Sequence, residues 1–271
     1  MQLAAKARLI GLSFQRAYAF LPPACSEKFA VYASDIDAVS GDNRDLTGTV
    51  EEGLPNSHLI GLNFQRATDL LQMADGLPPN DPRIAALIEK LVRRHVAVTS
   101  TLAVIESDFG LAPPLKPPEL ALLSADARAG YAASAKEPRL PAPIARHIIA
   151  LEMAFEQAFV SAGGLLTEGA DAGVGVLPGF ADRREIELLM QAGFTPVQAI
   201  QIATSNGAKA IRTFADTGSI EPGKRADLVL LRGNLNGDGA AIEHPVLVVK
   251  GGAAYDPPAL TAATIGQVGR Q

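Results

Sequence analysis

The chain reads as an α/β protein, a parallel sheet or barrel of alternating strands and helices with a small all-β unit behind it. Three observations predict this. Helix-like and strand-like patterns alternate between residues 80 and 217. Capping residues and glycine stops fall where those helices begin and end. After residue 217 the hydrophobic period drops to that of strands, around two glycine turns.

The stretch "NDPRIAALIEKLVRRH" opens with an N-cap candidate at Asn80 and carries Pro82 early. Its apolar residues at 84, 87, 88, 91 and 92 have helical spacing. "VAVTSTLAVI" (96–105) is β-branched and alternating, which predicts a buried strand. Seven prolines between 107 and 145 predict an excursion with one short helix. "PIARHIIALEMAFEQAFVSAGG" (143–164) is a second helix, stopped by Gly163 and Gly164. The strand 165–169 follows and runs into Asp171.

Two further helices come next. "DRREIELLMQAG" has Asp182 and Glu185 three apart, a capping-box pattern, and ends on Gly193. "TPVQAIQIATSNGAKAI" pairs Thr195 with Gln198 around Pro196 at the first helical position. A turn at Pro222–Gly223 then feeds a strand at 226–231, and "HPVLVVKGGAAYD" is a hairpin turning at Gly251–Gly252.

The N-terminal part resists such assignment. "LIGLSFQRA" (9–17) recurs as "LIGLNFQRA" (59–67), differing only at Ser13 and Asn63, but no third copy follows. Residues 33–57 are polar and rich in Gly and Asp, and 1–57 stay unassigned.

Composition narrows the function classes. A formal charge of −5 without a basic run argues against a nucleic-acid or anionic-membrane partner. No apolar stretch reaches the roughly 20 residues of a membrane span. Cys25 is the only cysteine, which excludes an internal disulfide and a Cys-based metal cluster. Lys6 and Arg8 precede an apolar stretch that loosely mimics a signal peptide, but Gln15 and Arg16 interrupt it, so the cytoplasm is the expected compartment.

Asp171 is the first candidate for chemistry. It stands among Gly169, Ala170, Ala172 and Gly173, just past a strand end, where parallel α/β folds place their ligands. Such a carboxylate can hold a divalent metal and take a proton from water. It can equally be a turn residue bonded to its own backbone. Glu168 and Glu185 are the next carboxylates near this crevice, and Glu185 is explained as a helix cap. Arg183 and Arg184 fit either a substrate carboxylate or a solvated helix start.

The ordered set "GGLLTEGADAG", "LPGF", "REIELLMQAGFTPVQAIQIATSNGAKAI" and "GSIEPGKRADLVLL" resembles the C-terminal half of the metal-dependent amidohydrolase superfamily, nearest its imidazolonepropionase-like and Xaa-dipeptidase (prolidase-like) branch. The resemblance runs from about residue 80 to 256. It implies the last strands of a (β/α)8 TIM-type barrel over 58–217, a small C-terminal β unit of a composite β-sandwich over 218–256, and a tail at 257–271. It also implies that Asp171 binds metal, Zn in the first instance, and moves the proton of the attacking water.

The chain departs severely from that pattern, which also calls for a Lys or Glu on strand 4 and single histidines on strands 5 and 6. The family uses a His-x-His pair, yet the closest histidines here, His58 and His95, are 37 positions apart. By the resemblance His58 falls where a single metal ligand of strand 6 belongs. His95, His147 and His244 read as helix-end, helix-face and pre-proline residues. The expectation is a metal-dependent hydrolase of amide or peptide-like C–N bonds with a small-molecule or peptide-like substrate, the ligand set being incomplete in this chain. The alternative is a truncated or non-catalytic relative acting as a structural or interaction module. Open sheet edges lead to an expectation of homo-oligomers.

Overall fold

The computed structural model describes Val31–Tyr32 and residues 82–135, 141–170 and 176–269. His58, Asp171, Asn80 and both copies of the repeated nonapeptide lie outside these residues.

Helix α1 (Pro82–Arg93) begins on a proline, whose missing N–H costs nothing at a helix start, and carries Lys90 and Arg93 in its last turn. Leu87, Ile88 and Leu91 form its buried stripe. His95 closes it in a left-handed conformation (φ 54°), its N–H bonded to Val92 O at 3.0 Å. Strand β2 (Ala97–Ser100) follows at once. It lies between β1 (Val31–Tyr32) and β3 (Leu165–Glu168), and both pairings are parallel.

The apolar run at 96–105 is a strand only as far as Ser100; Leu102–Asp108 is helix α2. The proline-rich excursion holds two short helices instead of one, α3 (Pro117–Leu122) and α4 (Ala125–Ser134). Ser124 caps α4 through Ala127 N at 3.2 Å. Helix α5 (Ala142–Ser161) is the expected long helix, ended by Gly163 at φ 90°. Gly164 has no room for a side chain, because a Cβ there would overlap the Phe159 ring.

Helix α6 (Phe180–Gln191) starts before the expected cap. Asp182, at its third position, accepts Gly179 N at 2.7 Å, one half of a capping box, since Gly179 has no side chain to accept in return. Glu185 therefore has another role. Helix α7 (Pro196–Gln201) has the expected cap, with Thr195 Oγ1 accepting Gln198 N at 3.3 Å and Gln198 Oε1 accepting Thr195 N at 2.9 Å. It continues through a π-helical turn, Ile202–Asn206, into α8 (Gly207–Ala210). The wider turn carries Asn206, which donates Nδ2–H to Leu166 O of β3 at 2.9 Å.

Val98 and Leu166 point from the sheet into a core built by Leu87, Leu91, Phe155, Phe159, Ile186 and Leu189 of α1, α5 and α6. Helices thus cover one face of the parallel strands. Fully burying each of these Leu and Phe side chains contributes about 1.5–3 kcal/mol.

The second sheet is separate and antiparallel, in the order β4 (Leu228–Leu231), β5 (Pro245–Lys250), β6 (Ala253–Tyr255). Helix α9 (Pro257–Ala263) occupies what the sequence suggests is a plain tail. After it Val268 runs alongside Leu123, donating to Leu122 O at 3.0 Å and accepting Ser124 N at 2.9 Å. Among the described residues no helix is long and apolar enough to cross a membrane.

Candidate active site

Strands β2 and β3 run in register from Ala97 opposite Leu165 to Ser100 opposite Glu168, so their carboxyl ends lie side by side. The pairing extends one residue further, Gly169 N donating to Ser100 O at 3.0 Å. Side chains alternate along a strand, so Thr99 and Thr167 lie on the face opposite Val98 and Leu166. Their hydroxyls meet at 2.9 Å. A Cβ on Gly169 would stand 3.0 Å from Thr99 Cγ2, which explains the small residue there. Ala170 is buried against Leu102, Val176, Ala181 and Leu188, and hands the chain to Asp171.

The opposite face of the same strand ends is acidic; the sequence points to Glu168 and Glu185 there but not to Glu156. Glu185 of α6 is fully buried. It accepts Ser100 Oγ–H at 2.6 Å, Leu102 N–H at 3.1 Å and Ala103 N–H at 2.6 Å. The expected self-capping Glu185 instead caps α2, the helix that the apolar run conceals. Burial pushes its carboxyl up to about 7, opposed by those three donors, while Glu106 adds repulsion.

Glu156 of α5 is also fully buried, and among the described residues neither of its oxygens has a hydrogen-bond partner. Burial first and then the neighbouring Glu185 raise its pKa well above the ordinary carboxylate range. Ser100 opposes that shift only weakly, since its hydroxyl is donated to Glu185. Glu168, at the end of β3, has a buried and unpartnered Oε1. Burial, with Asp182 and Glu185 adding repulsion, pushes its carboxyl up to about 9. A pattern signal was available for two of these acids. Glu156 lies in the buried stripe with Ile148, Ile149, Phe155 and Phe159, and Glu185 in the stripe with Ala181, Leu188 and Leu189.

Arg184 grips Glu106 with two parallel hydrogen bonds, Nε to Oε2 at 2.9 Å and Nη2 to Oε1 at 2.7 Å. Its Nη1 donates to Glu187 Oε2 at 2.8 Å, so the whole guanidinium is held inside the chain. Arg183 stacks 4.4 Å over Phe180 and donates to Gly179 O at 3.2 Å and Glu243 O at 3.1 Å. The two arginines suggested for a substrate carboxylate are thus engaged within the fold, Arg184 by carboxylates and Arg183 by carbonyls and a ring.

Among the described residues no three His, Cys, Asp or Glu converge to hold a metal ion. His95, His147 and His244 are exposed. The two candidate ligands, His58 and Asp171, are outside the described residues. An open groove of about 300 Å³ lies between α1 and α5, lined by Ile88, Val92, Ala158 and Ala162. It sits on the helical layer near the ends of both helices and does not reach the strand ends beside Asp171.

A sequence model described as "Amidohydrolase family" matches residues 41–254. A 5-methylthioadenosine/S-adenosylhomocysteine deaminase of Shouchella clausii is 40% identical over 65 residues, 23% of this chain and 15% of that protein. A bottromycin amidohydrolase structure superposes with a TM-score of 0.52 at 21% identity, covering 70% of this chain and 46% of that one. A protein from Bifidobacterium longum, assigned as a prolidase, gives a TM-score of 0.46 at 28% identity over 66% of this chain and 42% of its own. The chain spans less than half the length of each of these relatives.

Proposed function

This chain belongs to the amidohydrolase family, and on that premise we propose that it takes part in hydrolysis of an amide or peptide-like C–N bond, with Asp171 handling the proton. The observation that carries this reading is the family match over 41–254. Within that span two parallel strands end side by side, and the chain passes from β3 through Gly169 and Ala170 to Asp171. We read the chain as the last strands of a barrel with a small β unit behind them. The bottromycin amidohydrolase likeness supports a shared fold.

In this reading the oxygen of a water molecule attacks the scissile carbonyl carbon. Asp171 takes the water's proton and returns it to the departing nitrogen as the C–N bond breaks. The residues flanking Asp171 in sequence are Gly and Ala, whose small size suits a site for water and substrate. A divalent cation, zinc by the resemblance, would supply Lewis-acid polarisation of the carbonyl. A catalytic zinc takes three protein ligands, and this chain offers two candidates, His58 and Asp171, so the fit is incomplete and no step is routed through the metal. Of the two arginines, Arg183 has no carboxylate partner among the described residues, so we assign it the substrate carboxylate.

A second reading is favoured by the histidine spacing, 37 positions at the closest: a non-catalytic relative serving as a structural or interaction module. Turnover separates the two. The chain is assayed with aminoacyl-proline dipeptides and N-acyl amino acids in excess Zn, Mn or Co. The hydrolase reading expects metal-dependent turnover that Asp171→Asn abolishes and that Arg183→Ala weakens through KM. No turnover with any cation supports the second reading, and full activity of Asp171→Asn removes the role given to Asp171.

A further inference from the structure

Glu156 on α5 and Glu168 on β3 each lie within electrostatic reach of a third carboxyl group, Glu185 on α6, behind the carboxyl ends of β2 and β3. Ser100 stands between two of them, since its hydroxyl is donated to Glu185 and its register partner is Glu168. Glu185 accepts three donors, which leave both its oxygens accepting. Glu156 has no exposure and, among the described residues, no partner for either oxygen, and Glu168 Oε1 is buried without one there.

An ionised carboxylate placed in an apolar interior without donors is too costly to persist; the group takes up a proton instead. Among the described residues no cation pairs with Glu156 or with Glu168 Oε1. The groups facing the cluster are Glu152 on α5, Glu106 on α2 and Asp182 on α6, all acids. Arg184 is the nearby cation among the described residues, and Glu106 and Glu187 hold it.

We infer that Glu156 and Glu168 are neutral acids in the folded chain and that, with Glu185, they form a proton-operated latch holding α5 and α6 against the carboxyl ends of β2 and β3. Closed, the latch needs protons on Glu156 and Glu168, while Glu185 keeps its two N–H donors on α2. Loss of the protons places like charges between helix and sheet and loosens the wall behind the strand ends.

The sign follows from the pKa directions. Each acid keeps its proton when folded at pH values where the unfolded chain, near 4.5, has lost it. The stabilisation is therefore full below about 4.5 and is lost as pH rises through the folded values, about 7 at Glu185 and about 9 at Glu168. In that window each proton held only by the folded chain lowers the folded-to-unfolded ratio about tenfold per pH unit.

The test is urea unfolding of the wild-type chain, Glu156→Gln and Glu168→Gln between pH 5 and pH 9 at constant ionic strength. The expected wild-type ratio falls at least a hundredfold from pH 6 to pH 8. Each glutamine variant should lose about one proton's share of that slope and outlast wild type at pH 9. A wild-type ratio that stays level over this range overturns the latch, as do variants with the wild-type slope. Should a variant fail to fold, infrared spectroscopy of the wild-type chain decides. A carbonyl band of neutral carboxylic acid at pH 7 that disappears on raising the pH supports the latch, and its absence at pH 7 overturns it.

Discussion

The carboxylate of Glu185 accepts the backbone N–H of Ala103 at 2.6 Å, joining α6 to the first turn of α2 across 82 residues of sequence. Thr101, the residue flanking that helix start, makes no side-chain cap of its own. The orphan donors of a helix N-terminus must find acceptors when buried, and here a distant glutamate provides them. Glu185→Ala removes three acceptor contacts at once. Each buried donor left unpaired costs about 1–3 kcal/mol, so the expected loss is about 3 kcal/mol or more in urea unfolding. Hydrogen exchange should quicken first at Leu102 and Ala103. Uniform loss of protection across the chain would contradict the local role.

The Arg184–Glu106 fork is expected to matter far more than the surface pair Arg93–Glu89. Its side chains are 28% and 10% exposed, against 63% and 69% for the surface pair. An exposed pair of that kind contributes about 0.5 kcal/mol. Breaking a largely buried one by removing a single partner costs about 3 kcal/mol, because the other charge stays behind. Glu106→Ala should therefore destabilise strongly and Glu89→Ala hardly at all. Arg184→Lys should recover little, since a lysine cannot make the two parallel bonds. Equal effects at the two sites in unfolding experiments would contradict this ranking.

Lys224, within the "GSIEPGKRADLVLL" stretch, is a lock within its loop. Its Nζ donates to Phe214 O and Ser219 Oγ, each at 2.6 Å, and stands 3.7 Å over the Phe214 ring. Its side chain is only 9% exposed. Lys224→Met keeps the stem and removes the ammonium, leaving Phe214 O short of a donor. The expected cost is about 2 kcal/mol, with proteolytic cutting appearing first in residues 212–226. Unchanged stability and cutting would show that the loop stands without the ammonium.

What could be read from the sequence, and what could not, divides by the range of the interaction responsible. The ends of α5, α6 and α7 were legible because Gly163, Gly193 and Thr195 with Gln198 act within a few residues of themselves. The parallel pairing of β2 with β3 followed from helices set between strands. The end of β2 was not legible. "VAVTSTLAVI" fits a strand and a buried helix equally well, and Glu185, which decides between them, is 82 positions away from Ala103. Glu156 stayed hidden because a carboxylate beside apolar residues reads as a solvated helix face, and Glu168, though named beside the crevice, gave no sign of its burial. Asp171 stood out through its small neighbours and its place in an ordered motif. Its surroundings require residues brought together by the fold.

Metal affinity gives the last prediction, and it rests on ligand number. A zinc site that lowers the pKa of water toward about 7 uses three protein ligands and keeps a fourth position open. This chain's candidates are Asp171 and His58; the described His95, His147 and His244 are exposed and do not converge with other ligands. A carboxylate and one imidazole hold zinc weakly, so the purified chain should retain less than about a tenth of an equivalent after dialysis. Without added cation it should hydrolyse aminoacyl dipeptides no faster than buffer. Asp171→Asn should weaken what zinc binding remains while leaving the unfolding free energy within about 0.5 kcal/mol of wild type, as expected for a change that keeps the side chain's size. Elemental analysis and calorimetric zinc titration of both proteins read these outcomes. A full equivalent of tightly held zinc in the wild-type chain would mean that further ligands exist outside the described residues, and that the histidine spacing misled the count.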